Sequence, residues 1–445
     1  MSDKITLSKV SLSISTNTLT SQSIYGIIYN IYTERIFAYM NNSKAINYRW
    51  LMLLVGVVTM LFAGIIYAWS ILKVPFASEL GFAPDALALN FTFTMSFFCL
   101  GGLGSSWLVK KIGTKLSIFL SGLLAGAGLI LTSLVGEGQV LLLYITYALM
   151  AGLGIGMAYI LIISTVNSWF PDRKGLSSGA LMMGFGASSL ILGNLADMFF
   201  KTEMGWRATY VIFGIALGAV IGISALFIKR PDESVVFPEA KKRAGKSEES
   251  FEIKDYTPTE MIKRFTFWRA FVCLICITAV GSSVISFARD LVLSVGAQAA
   301  LATTMVGVLA VCNGLGRIIT GAVFDSMGRR FTMISANILT IVAAAVTLIS
   351  VSVGSLPLCI VGLCLTGMSY GTSPTVASAF TSAFYGTKHF AANLGIMNFN
   401  LMCASFVATA CSSLLTSSGG YTLPFILLLA LSVIALVLNL TIKRP

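Results

Sequence analysis

The chain has 445 residues, of which 56% are hydrophobic and 11% are charged. A soluble protein of this composition would have too few polar side chains to cover its surface, which excludes a soluble enzyme or binding domain and indicates an integral membrane protein. The formal net charge of +12 is therefore interpreted through the positions of the basic residues along the chain, and we expect no nucleic-acid partner.

Residues 1–48 precede the first apolar run and are predicted to be an N-terminal cytoplasmic tail. The segment is rich in Ser and Thr and then semi-apolar, without the continuous apolar core and cleavage site of a signal peptide. Three interpretations stay open: a flexible tail, an amphipathic helix on the membrane surface, and a translational start at Met40.

Twelve apolar runs follow, and each is predicted to be a transmembrane helix, because ~20 residues at ~1.5 Å per residue cross ~30 Å of hydrocarbon. The predicted spans are 50–72, 86–109, 115–135, 139–168, 175–200, 207–228, 267–291, 299–324, 331–353, 356–385, 390–415 and 421–442. The one long connection, 229–266, is polar and follows the sixth run. The sequence therefore predicts an all-α membrane protein with two six-helix halves, 49–228 and 267–445.

Lys and Arg concentrate in alternate connections, which predicts the orientation in the membrane. The termini and connections that are rich in basic residues contain Lys44, Arg49, Lys110, Lys111, Lys115, Arg173, Lys174, Lys229, Arg230, Lys241, Lys242, Arg243, Lys246, Arg329, Arg330, Lys388, Lys443 and Arg444. The connections on the other side are poor in basic residues and contain Lys73, Lys201 and Arg207. Both termini and the 229–266 connection are thus predicted to be cytoplasmic, in a multi-pass protein of the plasma membrane.

Side chains suited to catalysis or metal binding are scarce. The eight cysteines all lie inside apolar runs, and His389 is the single histidine, so a His-rich metal site is excluded. The sequence shows neither a nucleophile and base pair nor a metal cluster, and we expect no enzymatic activity, metal or cofactor.

The stretch GAVFDSMGRR, residues 321–330, follows the eighth predicted span. It resembles the inner-loop motif of the major facilitator superfamily, in which an acid and basic residues gate the cytoplasmic side. The resemblance implies gating roles for Asp325, Gly328, Arg329 and Arg330. It also implies the fold of that superfamily, with alternating access between two pseudo-symmetric halves.

A weaker copy of this motif, SSWLVKKIGTK, follows the second predicted span. It retains Gly113 and Lys115 but has Lys110 where the acid belongs. A motif present at matching places in both halves supports an internal duplication.

A second signature begins at Asn167 and reads NSWFPDRKGLSSG. It resembles the junction of helices four and five in the oxalate/formate antiporter family and its monocarboxylate-carrying relatives. YAWS from Tyr67 and NGLGR from Asn313 also match that family's pattern. The resemblance runs from about Tyr48 to Lys443 and implies a secondary transporter of small organic anions, with Asp172 and Arg173 at the cytoplasmic gate.

Arg317 is a charged residue within an apolar span. A central arginine costs ~2.5–3.5 kcal/mol on insertion scales and cannot deprotonate. It lies ~12 Å along a helix from Asp325, too deep to reach the interface easily. Either a carboxylate pairs with it permanently, for which the spans offer only Asp197, Asp290 and Asp325, or its partner is the transported anion. The family binds its carboxylate with this arginine, so the resemblance implies the second alternative.

Asn313 lies one turn before Arg317 and either orients the guanidinium or bonds between helices. The family's dicarboxylate carriers add a lysine in helix eleven, and alignment places Leu401 at that position and Asn398 where a pocket aromatic would be. With one cation, a second carboxylate would lie unpaired in a low-dielectric site. We therefore expect a monocarboxylate such as formate, lactate or pyruvate, with oxalate/formate-type exchange as the alternative.

Tyr67, Trp69 and Tyr370 are predicted to line the binding site, although an aromatic side chain in a bundle is also suited to packing alone. Gly367, Gly371 and Pro374 either let the tenth helix bend or permit close packing. Exchange and proton symport both remain open as mechanisms, and an anion sensor that does not transport is an alternative of another class. The expected partners are a carboxylate anion and membrane lipid, with a proton as a further partner if the mechanism is symport, and we expect a monomer.

Overall fold

The computed structural model of the chain describes residues 47–232, 235, 237 and 254–442. The predicted N-terminal tail, except for its last two residues, the basic centre of the 229–266 connection and the final Lys443 and Arg444 lie outside the described residues. Within these ranges every regular element is a helix.

Ten uninterrupted helical stretches are long and apolar enough to cross a membrane, and two of them contain two helices each. Within the described residues the twelve helices are α1 (Asn47–Ala68), α2 (84–112), α3 (114–132), α4 (Val140–Asn167), α5 (Lys174–Phe200), α6 (Gly205–Phe227), α7 (Phe265–Ser294), α8 (299–327), α9 (329–353), α10 (Leu356–Tyr385), α11 (Phe390–Met397 and Phe399–Ser418) and α12 (Thr422–Leu440). The predicted all-α fold with two six-helix halves is confirmed.

Single glycines replace two of the predicted loops. Helix continues from residue 84 to 132 and from 299 to 353, interrupted only at Gly113 (φ 79°, ψ 169°) and at Gly328 (φ 79°, ψ 177°). The sequence predicted loops at 110–114 and 325–330, and this prediction is wrong, because both ranges are helical except at one glycine each. A positive φ favours glycine, because other residues place their Cβ too close to the backbone. Equivalent positions in the two halves have the same backbone conformation, even though the first copy of the motif has lost its acid.

The end of α1 differs from the straight span predicted over 50–72. Its last turn, Gly64–Ala68, is a 3₁₀ helix, and the short helices Trp69–Leu72 and Val74–Ser78 follow it. A Cβ added at Gly64 would lie 2.0 Å from the carbonyl oxygen of Phe185. The tightened turn therefore occurs where α1 and α5 are in backbone contact.

The helices alternate in direction, so they share two ends. We call the end of the bundle that contains Gly113 and Gly328 the motif end, and the other the opposite end. The last part of the long connection packs on the motif end, where the Tyr256 amide donates to the Tyr385 carbonyl at 3.0 Å and Asn393 Nδ2 donates to the Tyr256 carbonyl at 2.9 Å. A short helix, Pro258–Ile262, lies within this predicted loop.

Candidate functional site

Arg317 lies on α8 with its side chain against α5, and it is 1% exposed. Its Nε donates to Asn313 Oδ1 at 3.0 Å, and its Nη1 donates to the carbonyl oxygen of Met182. A Cβ added at Gly186 would lie 3.2 Å from the guanidinium carbon, so the missing side chain leaves room for the head group. Nη2 is buried and has no hydrogen-bond partner among the described residues.

No carboxylate pairs with Arg317 in the described part of the chain. The three ion pairs found there are Arg49–Asp172, Arg173–Asp172 and Lys201–Asp197. The structure therefore does not show the first interpretation of Arg317, a permanent pair with an internal carboxylate. Asn313 accepts the hydrogen bond from Arg317 Nε, which agrees with the interpretation that Asn313 orients the guanidinium.

Two tyrosines from opposite halves meet beside the guanidinium. The hydroxyl oxygens of Tyr67 on α1 and Tyr370 on α10 lie 3.3 Å apart, and their rings are edge to face with centroids 6.3 Å apart. Tyr67 also packs edge to face on Phe185, at 5.1 Å between centroids. Gly281 leaves room for the Tyr370 ring, because an added Cβ there would lie 2.3 Å from it.

Two cavities lie between the halves on the opposite-end side of this pair. The first has a volume of about 180 Å³ and is lined by Tyr67, Ser189, Asn194, Asp290 and Asn313, among others. The second has a volume of about 240 Å³ and is lined by Tyr67, Trp69, Lys73, Ser282, Tyr370 and Ser405, among others. Arg317 is in the wall of neither cavity, although its hydrogen-bond partner Asn313 lines the smaller one.

The charged side chains that line these cavities are Arg289 and Asp290 in the smaller one and Lys73 in the larger one. Burial lowers the pKa of Lys73 below its usual value, and the nearby Asp290 carboxylate opposes part of that shift. The approach to the tyrosine pair therefore contains both signs of charge.

Trp69 and Asn398 differ in their relation to the cavities. Trp69 contributes to the wall of the larger one, but its Nε1 donates to the Leu87 carbonyl at 3.1 Å and its ring packs 4.6 Å from that of Tyr147. Asn398 lines neither cavity. Its carbonyl accepts from Cys99 Sγ at 3.2 Å, and its Nδ2 is buried without a hydrogen-bond partner among the described residues.

The motif end is closed by contact between α5 and α8. An added Cβ at Gly175 would lie 2.4 Å from the Gly321 carbonyl oxygen, and one at Gly321 would lie 2.2 Å from that of Gly175. Only residues without side chains allow backbones to approach so closely. Deeper in the bundle, the hydroxyls of Ser178 on α5 and Ser378 on α10 are 3.0 Å apart.

Asp325 stabilises the contact between α5 and α8. Its two carboxylate oxygens accept from the backbone amides of Gly175 at 2.9 Å and Leu176 at 2.8 Å. These amides belong to the first turn of α5, which has no side-chain cap of its own. A carboxylate at a helix N-terminus satisfies orphan donors and is favoured by the helix dipole. One half of the protein therefore caps a helix of the other.

The other predicted gating residues have different contacts. The guanidinium of Arg329 lies 4.7 Å from the centre of the Phe384 ring, and Arg330 is exposed. Asp172 pairs with Arg49 at 3.0 Å, while the half-exposed Arg173 is 3.7 Å from Asp172. The Asp172 pairs that the structure describes are thus within the first half.

Close packing explains two glycines of α10. An added Cβ at Gly367 would lie 2.5 Å from the Leu309 carbonyl oxygen, and one at Gly371 would lie 2.2 Å from that of Asn313. α10 runs without interruption through Pro374. The structure therefore shows the packing role of these glycines.

Three features of the site were not predicted from the sequence: the Met182 carbonyl, the space at Gly186, and the Ser178–Ser378 contact. Gly186 and Ser178 lie within or just after the NSWFPDRKGLSSG signature, but nothing in one sequence says that they face α8 and α10. Among the described residues, no three His, Cys, Asp or Glu side chains are grouped so as to hold a metal ion.

Comparison with known proteins agrees with this architecture. The family model of the Major Facilitator Superfamily matches residues 52–296 and 270–445. The chain is 26% identical to the oxalate:formate antiporter of Oxalobacter formigenes over 88% of its own length and 90% of the relative's. It is also 26% identical to the uncharacterized MFS-type transporter YhjX of Escherichia coli K12, over 78% and 84% of the two chains.

More distant matches include human monocarboxylate transporter 2, at 26% identity over 38% of this chain and 33% of the relative. The solved structure of the proton:xylose symporter XylE aligns with a TM-score of 0.67 at 12% identity, over 91% of this chain and 97% of that one. At this identity the likeness concerns the fold.

The fold and the family match define a secondary transporter embedded in a membrane by many helices. The chain belongs to the Major Facilitator Superfamily. The predicted resemblance to the oxalate/formate antiporter family and to monocarboxylate transporters is confirmed by the relatives found.

Proposed function

We propose that this protein carries a small monocarboxylate, such as formate, lactate or pyruvate, across the plasma membrane by alternating access, with Arg317 as the residue that binds the carboxylate. The observation that carries the proposal is the state of the guanidinium. It is buried, two of its three nitrogens are held by neutral acceptors, and Nη2 has no hydrogen-bond partner among the described residues. A desolvated guanidinium with an unused donor is suited to a carboxylate.

Charge matching supports a single carboxylate. Leu401, at the position of the family's second cation, is buried. The cations that line the cavities, Lys73 and Arg289, lie close to helix ends, after Trp69–Leu72 and near the end of α7, and Asp290 is close to both. A second carboxylate drawn in beside Arg317 would be desolvated without a cation of its own, which costs several kcal/mol, on the order of the penalty for an unpaired buried ion.

The geometry supports a route from the opposite end. Both cavities reach Tyr67, and the larger one also reaches Tyr370, so a separation of the two hydroxyls would open a path to the guanidinium. The α5–α8 contact closes the motif end at the same time. We assign the motif end to the cytoplasm, together with both termini, because basic residues concentrate there.

The cost of an unloaded site provides a physical route to obligatory exchange. Without an anion, passage through a closed state buries an uncompensated charge, and binding removes that cost. Proton symport is the rival mechanism, for which Asp290 in the wall of the smaller cavity is the accessible acid. Uptake that an external acid pulse drives into vesicles without internal anion would favour symport, and an Asp290→Asn variant should then lose it.

A thermal-shift panel of formate, lactate, pyruvate and oxalate on the purified protein tests the substrate assignment. Monocarboxylates should raise the melting temperature of the wild type and of Arg264→Gln, which changes an exposed arginine outside both cavities. They should have no effect on Arg317→Gln. Counterflow of labelled formate in proteoliposomes should show the same pattern. Wild-type counterflow in Arg317→Gln would contradict the role of the arginine.

Oxalate/formate-type exchange is the second candidate, favoured by the full-length similarity to an oxalate:formate antiporter. Oxalate counterflow faster than that of formate or lactate would replace the monocarboxylate assignment with this one, and Arg317 would keep its role.

A further inference from the structure

A third cavity lies at the motif end, away from Arg317. Its volume is about 340 Å³, and both halves contribute to its walls. The first half provides Lys110 on α2 and Arg230 after α6, and the second provides Lys388 and His389 between α10 and α11. We call this the basic cavity. Hydroxyl groups also line it, including those of Ser106, Ser164, Thr165, Ser382 and Thr387.

The cations of the basic cavity form no ion pair with a described side chain. No Asp or Glu is among its described lining residues, and the side chains of Lys110, Arg230 and Lys388 form no ion pair or hydrogen bond in the described ranges. Asp255 lies against the Thr387–Lys388 part of the wall and accepts from the backbone amides of both residues, at 2.9 and 3.0 Å. It therefore holds the backbone of the wall in place.

Ser106 provides a second, independent observation. Its hydroxyl oxygen is buried and has no hydrogen-bond partner among the described residues, and the residue is part of the cavity wall. Buried hydroxyls without partners are uncommon, because desolvation is costly unless a hydrogen bond compensates it. The wall of the basic cavity therefore contains an unsatisfied hydroxyl as well as cations without a described ion pair.

We propose that the basic cavity is a second anion site, which takes a doubly charged phosphoryl group and thereby favours closure of the motif end. Closure brings the cations of the two halves together, and their repulsion opposes it. An anion between Lys110 and Lys388 converts that repulsion into attraction. A monocarboxylate has one charge for several cations, whereas a phosphoryl group has two and several acceptor oxygens. Such an anion would act on the carrier without being its cargo.

Titration with inorganic phosphate tests the proposal, with the melting temperature of the full chain in neutral detergent as the readout. Potassium chloride at equal ionic strength is the reference for screening. Phosphate should raise the melting temperature. Lys110→Gln and Lys388→Gln should each weaken phosphate binding, so that the half-saturating phosphate concentration rises about tenfold. The matched control Lys115→Gln, which changes a lysine outside the cavity wall, should behave as wild type.

A second arm distinguishes a free phosphate from a lipid head group. If the head group is the ligand, nanodiscs with phosphatidic acid should raise the melting temperature relative to phosphatidylcholine, with the same dependence on Lys110 and Lys388, and added phosphate should have little further effect. The absence of any response to both probes, or equal responses of Lys110→Gln and Lys115→Gln, would overturn the proposal.

A third arm measures conformation. Spin labels at Lys111 on α2 and Met327 on α8, both exposed, report the distance between the halves at the motif end. Phosphate should increase the fraction of the short distance. Arg317→Gln should keep both phosphate responses, so failure of the transport assignment and failure of the basic cavity would give different results. A phosphate effect that depended on Arg317 but not on Lys110 would refute the site.

Discussion

Replacement of Asp325 by Asn should open the motif end. The carboxylate accepts two backbone hydrogen bonds, at 2.9 and 2.8 Å, from the first turn of a helix in the other half. Hydrogen bonds to a charged group contribute about 1.5–3 kcal/mol each. The amide keeps one acceptor oxygen but loses the charge and presents an NH₂ group to the second amide. The loss is thus about 2 kcal/mol, equal to about a 30-fold change in the ratio of closed to open states.

The distance between spin labels at Lys111 and Met327 measures this change. In Asp325→Asn a longer distance should become prominent, while the melting temperature should fall by only a few degrees. Asp197→Asn is the matched control, because it removes a carboxylate from an exposed pair with Lys201 at the opposite end. Identical distance distributions for wild type and Asp325→Asn would refute the view that this capping contact holds the halves together.

Three further predictions concern the site and its approach. Asn313→Asp should raise the melting temperature but abolish the thermal shift by formate, because an internal carboxylate would pair with Arg317 in place of the anion; an unchanged formate response would contradict this. Gly186→Ala places a Cβ 3.2 Å from the guanidinium carbon and should weaken formate binding about fivefold, whereas Gly104→Ala, at a glycine with open space around it, should bind as wild type. Burial lowers the pKa of Lys73 in the folded protein. At pH values between this lowered pKa and the usual pKa of lysine, the unfolded chain therefore binds more protons than the folded chain. The free energy of unfolding should therefore rise with pH through that window, and a Lys73→Met variant that kept the full slope would exclude this lysine as its origin.

The sequence by itself determined the fold class, because hydrocarbon imposes a length and a composition on each span that can be counted without a structure. It also identified Arg317, since one permanent charge in an apolar run is conspicuous whatever surrounds it. The duplicated motif was visible in residues 321–330 and weakly in its first copy.

Only the tertiary structure decided what those residues touch. The loss of the acid in the first motif suggested divergence, yet Gly113 keeps the same backbone conformation as Gly328, because backbone geometry depends on the glycine rather than on the acid. The capping of α5 by Asp325 and the contact of Tyr67 with Tyr370 join residues more than a hundred positions apart. The packing of one half on the other determines such contacts, and the periodicity of a single helix carries no information about them.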